Sequence, residues 1–429
     1  MLDMQRRLTP AFNAIISLPS TAMGFALCIQ ISALSWLLST KYHLDIHEIG
    51  IVWAAGPLAG ILGQVIIGLI SDKVWFWGGR RRPFIVVGGV LAALMVFLLP
   101  RIDQVASLLG IGNLLVVAVI VALTLDLSIN IGFNPTRALI ADVTPEGDAR
   151  TRGFTWMQTI SGFFGVLAYL IGAFIDNYAL ISIGVVVVLA FSVLPMWFVT
   201  EPRALRIENQ GEAIVATPTE WGQLWRIYFA HGFAWLGVQS MFVYIIAFIQ
   251  QHIVVRDVAP ASIAAQSGHV IAISFAVMNV VGFVLPALVL APVARRIGRV
   301  RTQVACMAIM AAAYFAIATM ATTPHRLYAL MALVGIGWSA VVSLPFAIMS
   351  EKVDKRRMGF FMGMFNLSVV LPQLLSTGVG YVMRDAADTN VLFYICGACL
   401  AVSALLWCLV KENKAVLADA APARLAPAH

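Results

Sequence analysis

The sequence is a succession of apolar runs, each near the roughly 20 residues that a helix needs to cross the hydrocarbon core of a bilayer. Inside lipid every backbone N–H and C=O must find an internal partner, which leaves helices and closed barrels. The runs are near-continuous rather than short and alternating, so a barrel is excluded. With 61% hydrophobic and 11% charged residues and a mean hydropathy of +0.90, the chain carries more apolar surface than a soluble fold of 429 residues can hide. The reading is an all-α membrane protein. The opening MLDMQRRLTP offers no small-residue cleavage site, so the first run is expected to be a retained span.

Twelve spans are predicted, at 12–38, 46–71, 83–100, 113–141, 152–174, 179–199, 226–252, 268–292, 302–321, 327–350, 358–383 and 390–410. The longest polar stretch begins at Glu201, which predicts two six-helix halves, 1–200 and 226–411, joined by a cytoplasmic linker at 201–225 and followed by a tail at 412–429. With both termini cytoplasmic, only Lys41, Arg101, Arg256, Arg326 and Arg384 of the 28 basic residues fall outside. That is a strong positive-inside bias, so the net charge of +7 reflects topology and not a nucleic-acid partner. Cys28, Cys306, Cys396, Cys399 and Cys408 all lie in spans, where thiols serve as small apolar packers. Nothing in their spacing reads as a zinc site or disulfide framework.

The halves repeat weakly. SDKVWFWGGRRRPF after the second run has a short counterpart in ARRIGRVRT after the eighth, and RALIADVTPEGDARTRG after the fourth is echoed by PFAIMSEKVDKRRMG after the tenth. Internal repeats of this kind mark secondary transporters with a site near the midplane. The arrangement resembles the major facilitator fold. The same loops hold a candidate cytoplasmic gate: Asp72, Arg80, Arg81, Arg82, Arg137, Asp142 and Arg152 in the first half, with Glu351, Arg356 and Arg357 in the second. The alternative is a set of ordinary solvated charges; isolated exposed pairs contribute little, so a gate requires a network.

One acid stands near the middle of a span. Asp126 lies in the run Leu114 to Ile140, about 20 Å along a helix that starts near Asn113. A carboxylate there costs on the order of 2.5–3.5 kcal/mol or more, which makes it a functional candidate. Removal from water disfavours the ionised form of a carboxyl, which suits a group that loads and releases a proton. Asp126, Asn130 and Asn134 recur every four residues and share one helical face, and Pro135 is placed to kink the helix. The competing reading of Asp126 is an inert carboxylate held by a partner.

Gln30, Gln64, Gln158, Gln239, Asn279, Asn366 and Gln373 are further mid-span amides. An amide offers donors and acceptors together and so suits hydroxyl recognition, although helix–helix hydrogen bonds use it equally well. His231, Trp235 and Gln239 form a second i, i+4, i+8 stripe. An aromatic ring beside amides is the usual makeup of a sugar pocket.

Four motifs carry a more specific resemblance. WAAGPLAGILGQVIIGLISDKVWFWGGRRRPFI, LDLSINIGFNPTRALIAD, SLPFA and FNLSVVLPQ are similar, in register, to segments of the plant sucrose transporters and their bacterial relatives. These belong to the glycoside–pentoside–hexuronide:cation symporters of the major facilitator superfamily. The resemblance implies twelve transmembrane helices in two pseudo-symmetric halves, and proton-coupled import of sucrose, maltose or a related glucoside by alternating access. It implies proton coupling at Asp126 and sugar contact at Asn130, and it matches Asp72, Arg137 and Asp142 to cytoplasmic charge motifs. Two departures bear on the sugar: Ile245 and Ala247 stand where plant members carry acids, and Asn134 where a glycine is usual. The short termini and the lack of a long central loop imply a bacterial cytoplasmic membrane and favour maltose as much as sucrose. The expected partners are a disaccharide, a proton and the bilayer, with no cofactor beyond the transported proton, no metal and a monomer as the working unit. Sodium coupling, export and a transport-inactive sensor or assembly protein are the rival readings. No nucleophile–base pair, metal cluster or phosphate loop supports an enzyme.

Overall fold

The computed structural model describes residues 3–60, 70, 74–144, 148–202, 219–254, 259–354 and 358–412. Helix dominates, and no strand occurs among the described residues. After a short turn at Asp3–Arg6, α1 runs from Pro10 to Thr40 and α2 begins as Ile46–Trp53. The first half continues with α3 (Arg82–Leu98), α4 (Leu114–Val143), α5 (Asp148–Phe174) and α6 (Asn177–Val193). The second contains α7 (Trp221–Phe248), α8 (Pro260–Leu285), α9 (Arg299–Met320), α10 (Pro324–Val341), α11 (Met358–Leu375, continued by Thr377–Asp385) and α12 (Val391–Cys408). Eleven helices among the described residues are long and apolar enough to cross a membrane. The remaining predicted span, 46–71, is described only in part.

Local chemistry sets the helix starts. Asn113 accepts from the Leu115 N–H at 3.0 Å and Asp176 from the Ala179 N–H at 2.6 Å, each satisfying a donor that the first turn leaves open. Asp45 and Glu48 close a capping box on α2. α4 runs from Leu114 to Val143 with Pro135 inside it. Departures from α geometry lie elsewhere: Gln30–Leu34 in α1 and Ile249–Ile253 at the end of α7 are π-helical turns, a form that concentrates at functional sites.

The chain packs as two compact units. One holds residues 1–210 together with Phe242–Ala276 and Thr377–Ala386; the other holds Gly211–Met241, Val277–Ser376 and Ala387–His429. The packing units therefore cut across the two sequence halves. In the first unit an apolar cluster of Phe12, Ile16, Ile85, Leu139, Ile140 and Met196 fixes α1, α3 and α4 at the end where α1 begins. At the opposite end, far from the start of α1, later segments join it. Ser35 Oγ donates to the Val243 carbonyl at 3.0 Å and receives Trp53 Nε1–H at 2.8 Å. Trp36 Nε1–H donates to the Ala264 carbonyl at 2.7 Å, and the Ala173 carbonyl accepts from His269 Nδ1 at 2.6 Å. In the second unit α9 packs against both α10 and α12.

Candidate transport site and charge networks

Asp126 sits halfway along α4 and is 6% exposed. Its Oδ2 accepts from Gln30 Nε2 at 2.8 Å, across from α1, where the π turn begins at Gln30. Gly56, just beyond the first helical stretch of α2, lies against the same carboxylate: a Cβ there would stand 3.1 Å from Oδ2 and 3.3 Å from Cγ and Oδ1. Among the described residues no cation pairs with Asp126. Asn130 shares the face, half-buried, and its Nδ2 donates to the Asp126 carbonyl at 2.8 Å. The first unit thus holds a buried acid met by an amide, with Gly56 close by. Such a carboxyl can exist neutral without stranding a countercharge, which a Lys or Arg partner would not allow.

The second unit gathers the aromatic and amide stripe. Trp235 Nε1–H donates to His231 Nε2 at 3.0 Å, so the imidazole proton sits on Nδ1. That ring is buried, stacks on Phe365 at 4.7 Å, and its Nδ1 has no hydrogen-bond partner among the described residues. Trp235 meets Trp338 edge-on at 5.7 Å. One turn further, Gln239 Oε1 accepts from Gln373 Nε2 at 3.2 Å. The stripe from α7 and the α11 motif therefore meet in space, with the Trp235 N–H engaged by His231 and its ring faces left to packing.

The other predicted site residues are scattered. Asn279 and Asn366 are half-buried, Gln158 is exposed, and Gln64 lies outside the described residues. A separate apolar cavity of about 460 Å³ lies between α7 and α11, lined by Trp225, Tyr228, Leu236, Leu367 and Pro372. It offers almost no hydrogen-bonding group and does not suit a polyhydroxylated ligand.

Two of the candidate gate residues meet. Arg81 Nε meets Asp142 Oδ2 at 3.1 Å, and both side chains are largely buried, which joins the loop before α3 to the end of α4. Arg137 takes no part in that pair; it is exposed, with its guanidinium 4.4 Å over the Phe133 ring. Arg152 is exposed as well. Arg80 and Arg82 contribute backbone N–H groups to a third residue, Glu201. Its Oε2 accepts from Arg80 and Arg81 at 2.8 Å each, and its Oε1 from Arg82 at 2.7 Å. In the second unit Glu412 does the same for α9, accepting from Arg299 at 3.0 Å and Val300 at 2.8 Å. Glu351 pairs with Arg299. Asp72, Arg356 and Arg357 lie outside the described residues. Three participants, Glu201, Glu412 and Arg299, were not among the predicted gate residues. The available signal was a carboxylate directly after each set of six runs, paired with a basic loop after the second run of each set.

A fold of twelve-helix type, a protonatable group buried in one helix, and matching charge clusters in both halves define a membrane carrier architecture. The sequence matches the Major Facilitator Superfamily over residues 16–377 and again over 267–428, and the chain belongs to that superfamily. It is 29% identical over 174 residues to the general alpha-glucoside permease of Schizosaccharomyces pombe, covering 36% of this chain and 31% of the permease. It is 29% identical over 192 residues to sucrose transport protein SUC4 of Arabidopsis thaliana, covering 40% and 35%. The chain spans about a third of the length of these relatives. Among solved structures, the inward-open xylose transporter XylE from E. coli superposes with a TM-score of 0.70 at 15% identity, over 95% of this chain and 99% of that one. That likeness establishes the fold.

Proposed function

We propose that this protein is a proton-coupled symporter that imports a disaccharide, sucrose or maltose, by alternating access. The observation that carries the proposal is Asp126: an acid 6% exposed at mid-helix, partnered by an amide and by no described cation. The names of the relatives, an alpha-glucoside permease and a sucrose transport protein, support the substrate class. Asn130, Trp235, Gln239 and Gln373 are the sugar contacts in this reading, with Gln64, Gln158, Asn279 and Asn366 as the further candidates; the Gln30 amide is given to Asp126. The protein sits in a bacterial cytoplasmic membrane with both termini inside and acts as a monomer.

The sequence of events follows from charge. Asp126 takes a proton from outside and becomes neutral. A neutral carboxyl is tolerated in a site closed to water, whereas an ionised one resists closure. Sugar hydroxyls satisfy the neighbouring amides, the site closes, and the cytoplasmic charge network then opens. Sugar leaves inward, the proton follows, and Arg81 and Asp142 pair again behind them. A potential of 100 mV contributes about 2.3 kcal/mol for each charge moved.

The test is uptake of labelled sucrose and maltose by proteoliposomes under an imposed inward proton gradient. Accumulation is expected to follow the gradient in the wild type. Asp126→Asn is expected to retain sugar exchange and lose accumulation. Accumulation driven by sodium, or unchanged in the variant, would overturn the assignment.

A further inference from the structure

Gln30 suits sugar binding by type, but its amide in this structure is turned to Asp126. The hydrogen bond is 2.8 Å long, and both residues are buried, Gln30 at 3% and Asp126 at 6% exposure. Gly56 also lies close to the carboxyl: a Cβ there would stand 3.1 Å from Oδ2, tighter than an ordinary contact. The carboxyl therefore has a reversible polar partner in Gln30 and little spare room beside Gly56. The π turn that begins at Gln30 is the one departure from α geometry within α1, and such turns re-aim side chains at functional sites.

An amide partner has a property that a cation lacks. Its NH₂ donates to a carboxylate, and after a half-turn its C=O accepts from a carboxylic acid O–H. It can serve both protonation states without moving a charge. The charged and imidazole groups on the elements packed against α4 stand toward the helix ends. They are His47 and Glu48 on α2, Arg82 on α3, Asp103 between α3 and α4, and Asp148, Arg150 and Arg152 in the first turns of α5, with Arg137 and Asp142 on α4 itself. Cys28 on α1 and Tyr169 on α5 lie further inside their helices. Arg137 is about 16 Å along the helix from Asp126 at 1.5 Å per residue.

We infer that Gln30 is a positioning residue for proton coupling: its side chain holds the ionised Asp126 by donation, turns over to accept from the protonated form, and does not bind the sugar. The inference rests on Asp126 being the proton-loaded group. It makes the Gln30–Asp126 pair, and not Asp126 alone, the unit that sets the proton concentration at which sugar can be carried.

The experiment is sugar exchange in proteoliposomes without a gradient, measured across pH, for wild type, Gln30→Leu, Gln30→Asn and Asp126→Asn. Removing the donor disfavours the carboxylate. Gln30→Leu is therefore expected to sustain exchange at about tenfold lower proton concentration, one pH unit further alkaline. Its sugar KM at acid pH is expected to stay within about twofold of wild type, since a neutral carboxyl needs no donor. Gln30→Asn keeps the amide on a shorter arm and should fall between the two. A KM at acid pH raised tenfold or more with an unmoved pH profile would make Gln30 a sugar ligand and overturn the inference. No change in either quantity would overturn it as well. Retained exchange at acid pH shows that each variant is folded. The parent reading has its own readout: exchange by Asp126→Asn should be independent of pH. If that variant keeps the wild-type pH profile, Asp126 is not the coupling group, and the failure belongs to that reading.

Discussion

Asp126 is conspicuous in the sequence because a carboxylate in an apolar run has a large desolvation cost, and cost needs no tertiary information to be seen. Its partner was not legible. Gln30 lies 96 positions away and looks like any other mid-span amide until α1 and α4 are brought together. Gly56 was still less visible, as one glycine in the motif WAAGP, and its role follows only from the 3.1 Å that an added Cβ would leave to the carboxylate. That spacing is tighter than an ordinary van der Waals contact, so Gly56→Ala must displace the carboxyl or α2 by a few tenths of an ångström. Geometry at coupling groups is unforgiving, and a misplacement on the order of 1 Å can lower a rate about 100-fold. Gly56→Ala is expected to be made and inserted normally and to lower gradient-driven uptake at least tenfold. Uptake within twofold of wild type would show that the close approach of Gly56 has no functional weight. By contrast, the His231–Trp235–Gln239 stripe was readable from helical periodicity alone. What periodicity did not reveal is that the Trp235 N–H is already given to His231.

At the scale of elements, the apolar runs located the helices because lipid leaves the backbone no other choice. The ends were harder, since they depend on which side chain reaches an open N–H. The sequence placed Arg80, Arg81 and Arg82 in a charge network, and the structure uses the guanidinium of Arg81 and the backbone N–H groups of all three. Glu201 collects those N–H groups at the start of α3, where an anion also meets the positive end of the helix dipole. Gly79 is needed for that approach, because a Cβ would collide with the Glu201 carboxylate. Gly298, at φ +97°, plays the same part beside Glu412 at the start of α9. The two caps are the internal repeat expressed as chemistry. Glu201→Ala should leave three N–H groups without their acceptor and destabilise the first unit by about 1–3 kcal/mol, the range for charge-assisted caps. Glu412→Ala should act similarly on the second unit. Thermal unfolding of the purified protein, followed by tryptophan fluorescence, checks both. Equal midpoints for Glu201→Ala and wild type would mean that water replaces the carboxylate without loss.

For the whole molecule, twelve spans in two halves follow from composition and repeats, but the packing units do not follow the halves. Phe242–Ala276 and Thr377–Ala386 pack with the first unit. Two of the bonds that join Phe242–Ala276 to α1 are Trp36 Nε1–H to the Ala264 carbonyl at 2.7 Å and Ser35 Oγ–H to the Val243 carbonyl at 3.0 Å. No periodicity could announce them, since each joins positions more than 200 residues apart through one polar atom. In the proposed topology this end faces outward, and the proposed alternating access then predicts that these bonds open when sugar enters. Losing one neutral hydrogen bond of about 1 kcal/mol shifts a two-state equilibrium about fivefold. Trp36→Phe keeps most of the ring and removes its N–H, and it should raise the outward-open population by that factor. The readout is the labelling rate of a cysteine at Asn130 by a membrane-impermeant maleimide added from outside, in a chain lacking the five native cysteines. A rate unchanged by Trp36→Phe would mean that this bond does not hold the outer end shut. A rise with Trp36→Phe that is matched by Ser35→Ala would place both on the same closure.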